Sequence, residues 1–144
     1  MSYAIKHLFH ISAPREKVFE AINSITGLSN WWTKDTSGDA APGGTIQFRF
    51  GAQGPDMKVT EVKPGEQLSW ECIAGPQGWM GNTLTFSLDE NDSKTRVRFA
   101  HEGFAAQDDS FASANFSWAR YMESLRQYCQ TGKGEGFGTD GYRK

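Results

Sequence analysis

The side chains in this sequence that could do chemistry are few, and their spacing narrows the field further. Of three histidines, His7 and His101 fall on positions expected to face inward, and His10 does not. If the first and last strands are neighbours, His7 and His101 offer an acid/base pair or part of a metal site. The plainer reading is two satisfied histidines at a sheet edge or pocket rim. No HxxxH, HExxH or carboxylate-rich spacing supports a metal, so no metal ligand is assigned. The two cysteines, Cys72 and Cys129, lack both a CxxC spacing and a base close in sequence; they read as buried thiols in a reducing compartment. Glu61 shares the parity of Met57 and Val59 and is expected to face inward, where its carboxylate would need a partner or could act as a base on a bound molecule. There is no GxSxG nucleophile, and Gly132-Lys133-Gly134 follows a helix where a phosphate loop would precede one. No catalytic residue and no cofactor is assigned.

Aromatic rings are the unusual resource. They make up 13% of the chain, with five Trp and ten Phe. Large rings fill cores and also line small-molecule pockets, and type alone does not separate the two uses.

The elements that must position these groups follow from periodicity. Tyr3, Ile5, His7, Phe9 and Ile11 alternate with polar neighbours, which predicts a strand. Ser12-Ala13-Pro14 starts a short helix carrying Val18, Phe19 and Ile22, and a second helical turn runs from Thr26 to Trp32. Residues 34–44 read as a loop. Five further strands are expected around Ile46–Phe50, residues 57–63, Leu68–Cys72, Leu84–Leu88 and Val97–His101, joined by short turns into an antiparallel meander. A long helix from about Asp108 to Gln130 presents Phe111, Asn115, Trp118, Met122, Leu125 and Cys129 as one stripe. The glycine-rich tail from about residue 132 is expected to hold no regular structure, either disordered or a flexible lid.

This order predicts a single α+β domain over residues 1–144, with about six strands wrapped around the C-terminal helix. Six inward rows need a cover, and the last helix carries the only long apolar stripe. The space between them is the expected pocket. Charged residues are 22% and the net charge is −2, which gives no attraction for nucleic acid; Arg96 and Arg98 read as a solvated strand face. The N-terminus has no signal-peptide pattern and no apolar run reaches the ~20 residues of a membrane span. A soluble, cytoplasmic protein is expected.

Several local patterns together resemble one family. Ser12–Phe19 is similar to the first strand-to-helix junction of START-like (SRPBCC) domains. Leu28-Ser-Asn-Trp-Trp-Thr33 followed by Pro42-Gly-Gly44 resembles the subfamily named for the activator of the heat-shock-protein-ninety ATPase. Glu61-Val-Lys-Pro64 leading to Leu68-Ser-Trp70, Thr95–Phe104, and Trp118…Leu125 with Thr131-Gly-Lys-Gly134 resemble it too. The resemblance implies a helix-grip fold with a cavity for an apolar or amphipathic molecule. The superfamily includes lipid carriers, hormone receptors and aromatase/cyclase enzymes, so no reaction is implied.

The expected function is binding of a small apolar, aromatic or lipid-like ligand in an internal cavity lined by Trp32, Phe48, Glu61, Trp70, Trp79, Phe86, Phe99, His101, Trp118 and Met122. Alternatives are a cyclase/dehydratase-like enzyme using His101, His7 or Glu61, and a co-chaperone-type interaction module. No second region reads as a chaperone-binding module; a monomer or weak homodimer is expected. Entrance candidates are the loops Lys34–Gly44, Gly75–Gly81 and Gly103–Asp109. Trp79, among glycines, is expected over the mouth or pinned as an anchor.

Overall fold

The computed structural model describes residues 2–143. The chain runs β1 (Tyr3–Ile11), α1 (Arg15–Ile22), α2 (Ile25–Trp31), β2 (Asp35–Gly38), β3 (Thr45–Arg49), β4 (Asp56–Lys63), β5 (Gln67–Ala74), β6 (Thr83–Asn91), β7 (Lys94–Phe104) and α3 (Asp109–Thr131). The seven strands form one antiparallel sheet in the order β1-β7-β6-β5-β4-β3-β2. Only β1 departs from sequential pairing: the first strand joins the last, β7, placing His7 opposite Phe99 and Ile5 opposite His101.

Alternation decides which face is buried. Ile46 and Phe48, Leu68, Trp70 and Cys72, Leu84 and Phe86, and Val97, Phe99 and His101 all point to one side, each 0–1% exposed. Against that side lies α3. Its N-cap, Asp108, accepts from the Phe111 amide at 3.1 Å. The helix ends at Gly132, whose φ of 85° lets its N–H reach back to the Tyr128 carbonyl. Trp118, Met122, Ser124, Leu125 and Cys129 are its buried residues, so only the C-terminal two thirds of the helix closes the core. Trp118, Met122 and Leu125 face the sheet, with Phe48, Trp70, Phe86 and Phe99 buried in the same core. No helix among the described residues is long and apolar enough to cross a membrane.

Three sequence expectations change. The segment read as a loop at 34–44 contains a seventh strand, β2, registered against β3 from Asp35↔Arg49 to Gly38↔Ile46. Glu61 does not follow the parity of Met57 and Val59. A register shift between Val59 and Glu61 sets Glu61 opposite Ser69, on the outer face. One extra residue in a strand turns everything after it to the other side. Lastly, the tail after Gly132 is tied down. Glu135 N–H donates to Ser124 Oγ at 2.7 Å, Gly136 N–H to the Asn30 carbonyl at 3.1 Å, and Phe137 N–H to the Trp32 carbonyl at 2.8 Å. Ser124 Oγ in turn donates to the Trp31 carbonyl at 2.7 Å, so one buried hydroxyl joins α3, the end of α2 and the tail.

Candidate functional site

Where α3 leaves the core it opens a cleft. Its first turns carry Ser110, Ser113, Ala114, Ser117, Trp118 and Tyr121 on one face, and this face lines a cavity of ≈ 460 Å³. The β3–β4 turn closes one side with Phe50, Gln53, Gly54 and Pro55; the β5–β6 loop closes the other with Pro76, Gln77 and Trp79. Trp32 forms the floor with Trp118, their centroids 4.9 Å apart. Trp79 stacks on Trp118 at 6.1 Å. Among the described residues, no charged side chain lines the cleft.

Among the expected cavity residues, the structure brings Trp32, Trp79 and Trp118 to this cleft. Phe48, Trp70, Phe86 and Phe99 lie deeper, at 0–1% exposure, packed ring on ring where open space was expected, and Met122 is buried in the same core at 3%. Trp32 meets Phe48 at 4.2 Å, and Phe99 lies 5.1 Å from Phe86 and 4.6 Å from Trp118. These rings pack against one another, and none of Phe48, Trp70, Phe86, Phe99 and Met122 lines the cleft. Glu61 is remote from the cleft; its carboxylate accepts from Gln67 Nε2 at 2.7 Å and lies 3.8 Å from Lys63 Nζ. Of the three loops proposed as entrances, Gly75–Gly81 borders the cleft.

His101 sits immediately behind the cleft wall, fully buried. Trp118 Nε1–H donates to its Nδ1 at 3.1 Å, and its Nε2 lies 3.0 Å from Asn82 Nδ2. Asn82 Nδ2 also donates to the Gly78 carbonyl at 3.1 Å. Trp79 meets the imidazole edge-on at 4.6 Å and Phe104 covers it at 4.4 Å. Burial pushes the imidazole down to about 4, so it is neutral at physiological pH. His7 shares the inward face, diagonal to His101 across β1 and β7, and stacks on Phe99 at 6.4 Å. Its Nε2 is buried without a partner among the described residues, while both His101 nitrogens face other groups. No three His, Cys, Asp or Glu side chains converge among the described residues. Burial pushes the Cys72 thiol up and the Cys129 thiol up to about 12, which keeps both protonated and poorly nucleophilic.

Sequence reasoning missed Phe50, the Gln53–Pro55 turn, the three serines and Asn82. The serines had a signal: 110, 113 and 117 share one helical face. Asn82 had none, because its side-chain partners, Gly78 and His101, come from a separate loop position and a strand.

The comparisons agree with this architecture. A family model described as "Activator of Hsp90 ATPase homolog 1-like protein" matches residues 12–130. No curated protein sequence matches the chain. Among solved structures, the Aha1 dimer from Colwellia psychrerythraea superposes with a TM-score of 0.84 at 39% identity, covering 92% of this chain and 99% of that one. Protein BH1534 from Bacillus halodurans gives 0.69 at 25% identity, covering 89% and 97%. CalU16 from Micromonospora echinospora gives 0.71 at 15% identity, covering 91% and 77%, and shares the fold. Fold, family model and a 39% identical relative that matches along nearly its whole length lead to one conclusion: this chain is a helix-grip protein and belongs to the family of activator of Hsp90 ATPase homolog 1-like proteins.

Proposed function

We propose that this protein binds an uncharged, largely apolar small molecule with aromatic surface in the cleft between α3 and the β3–β4 and β5–β6 loops. The observation that carries the reading is the lining itself: Trp32, Trp79, Trp118, Phe50 and Tyr121 supply ring faces, serine and glutamine side chains supply polar groups, and no charged side chain among the described residues takes part. A volume of ≈ 460 Å³ falls within the usual range for ligand sites, roughly 300–1,000 Å³. A charged head group would have to shed water here with no counter-charge to meet it, which disfavours free fatty acids and phospholipids.

The enzyme alternative loses its named groups. Glu61 faces outward, His7 does not line the cleft, and His101 stands behind Trp79 and Trp118. The Colwellia relative was solved as a dimer, and we extend weak self-association to this chain as part of the proposal. Sedimentation over a concentration series tests it.

Nile red, a neutral planar dye, tests the binding reading. Titration should raise its emission and quench tryptophan fluorescence at one site. A neutral naphthol should compete and raise the melting temperature, and a long-chain carboxylate should do neither. If neither neutral compound shifts the melting temperature at high concentration, or if the carboxylate binds as well as the naphthol, the reading fails.

A further inference from the structure

The hydrogen bonds around His101 cannot all exist at once. An indole N–H only donates, so the Trp118 contact at 3.1 Å requires a bare Nδ1. A neutral imidazole has one bare nitrogen and one N–H, so the hydrogen is then on Nε2. That N–H points at Asn82 Nδ2, 3.0 Å away, which also only donates. Turning the amide over presents Oδ1 to Nε2–H and mends this contact. It also sets that oxygen against the Gly78 carbonyl, which Nδ2 otherwise meets at 3.1 Å. The remaining choice keeps Asn82 Nδ2 on Gly78 and on a bare Nε2. The imidazole hydrogen then sits on Nδ1 and faces the Trp118 N–H. Turning the imidazole over puts carbons at both positions and loses both bonds.

We propose that His101 and Asn82 are positioning residues forming a two-position relay, in which the cleft floor at Trp118 and the cleft loop at Gly78 compete for one set of hydrogen bonds. In one position Trp118, His101 and Asn82 are joined and Gly78 is released. In the other His101, Asn82 and Gly78 are joined and Trp118 is released. His101 at 0%, Trp118 at 2% and Asn82 at 3% exposure are enclosed, so water does not rescue the bond lost at the Trp118 end; Gly78 is exposed, and its released carbonyl turns to water. Gly103, with φ of 116°, gives the amide its room: a side chain there would strike Asn82 Oδ1. Each end of the relay touches the cleft, Trp118 directly and Gly78 through the adjoining Trp79. A molecule that presses on one wall therefore resets the other, a consequence that rests on the binding reading above.

The test uses ligand-free, nitrogen-15-labelled protein and reads which imidazole nitrogen of His101 carries the hydrogen from long-range proton–nitrogen spectra. Asn82→Ala removes the amide that competes with Trp118; His101 should carry its hydrogen wholly on Nε2, and the Trp118 indole proton should move downfield. Trp118→Phe removes the other competitor; the hydrogen should move to Nδ1, and the amides of residues 78–81 should exchange more slowly. Opposite tautomers in the two variants, with the wild type between them or at the Nδ1 form, support the relay. One tautomer common to all three proteins overturns it. The readout involves no ligand, so the relay can fail while Nile red still binds, and a failure of Nile red to bind leaves the tautomer result standing.

Discussion

Acidification should destabilise this protein through His101 in a defined window. The imidazole's ordinary value is 6.5, and complete burial away from any carboxylate lowers it to about 4 in the folded protein. The folded state excludes a proton that the unfolded chain binds, so stability rises with pH wherever the unfolded state holds more protons. The contribution is fully present above pH 6.5, falls as pH drops toward 4, and is constant below. The difference of about 2.5 pH units corresponds to about 3 kcal/mol, of which about 2 kcal/mol is already lost at pH 5. Urea unfolding at closely spaced pH values between about 7 and 4 measures it, with His101→Gln as the control that keeps hydrogen-bonding capacity and removes the titration. The variant is expected to be less stable at neutral pH but to show a flatter slope in this window. Asp89, held down to about 2 by its hydrogen bond to Arg96, loses its contribution only as pH falls below 3.8, so it does not overlap. Equal slopes for the two proteins between pH 6.5 and 4 would refute a buried neutral imidazole.

Trp118 is 2% exposed at the centre of the ring cluster, so Trp118→Ala should cost roughly 3–5 kcal/mol by urea unfolding; a cost under about 1 kcal/mol would mean the ring mostly faces the cleft. Trp79 is half-buried on a loop, and Trp79→Ala should change stability by less than about 1 kcal/mol while weakening Nile red binding and speeding its exchange in stopped-flow; a readily unfolding variant with unchanged kinetics would make Trp79 structural. Ser113 is an exposed lining residue, so Ser113→Glu should leave stability within about 0.5 kcal/mol and reduce Nile red affinity by on the order of tenfold, because it places the first charge in a neutral cleft; unchanged affinity would move the site elsewhere.

Most of the fold was legible because the core obeys a local rule. Alternation named Phe48, Trp70, Phe86 and Phe99 as one wall, and a helical stripe named Trp118, Met122 and Leu125 as the other; all seven are buried. The failures come where a neighbour overrides the local rule. Strand β2 reads Asp-Thr-Ser-Gly and has one buried side chain, Thr36; pairing with β3 makes it a strand, not its own propensity. Counting parity along β4 assumes an unbroken pleat, and the shift before Glu61 breaks it. In the tail, glycines that read as disorder are there for close approach: a Cβ at Gly134 or Gly136 would collide with the Asn30 carbonyl.

The site was less legible for a related reason. Whether a ring packs or binds depends on what faces it. Phe48 and Trp32 touch at 4.2 Å, yet Trp32 reaches the cleft and Phe48 is not among its lining residues. Composition counts both alike. The His101 network is further still from local pattern, since Gly78, Asn82, His101 and Trp118 come from two loop positions, a strand and a helix. Each is ordinary in its own segment. Their conflict exists only once folding sets two donors around one imidazole and shares one amide between that ring and a carbonyl. The position that frees the enclosed Trp118 N–H costs stability, whereas the one that frees the carbonyl of exposed Gly78 leaves it to water, so the two positions are unequal and a molecule in the cleft acts on that difference. The tautomers of the two variants decide whether these groups compete here; if they do, the cleft has a floor and a wall that cannot both be held at once.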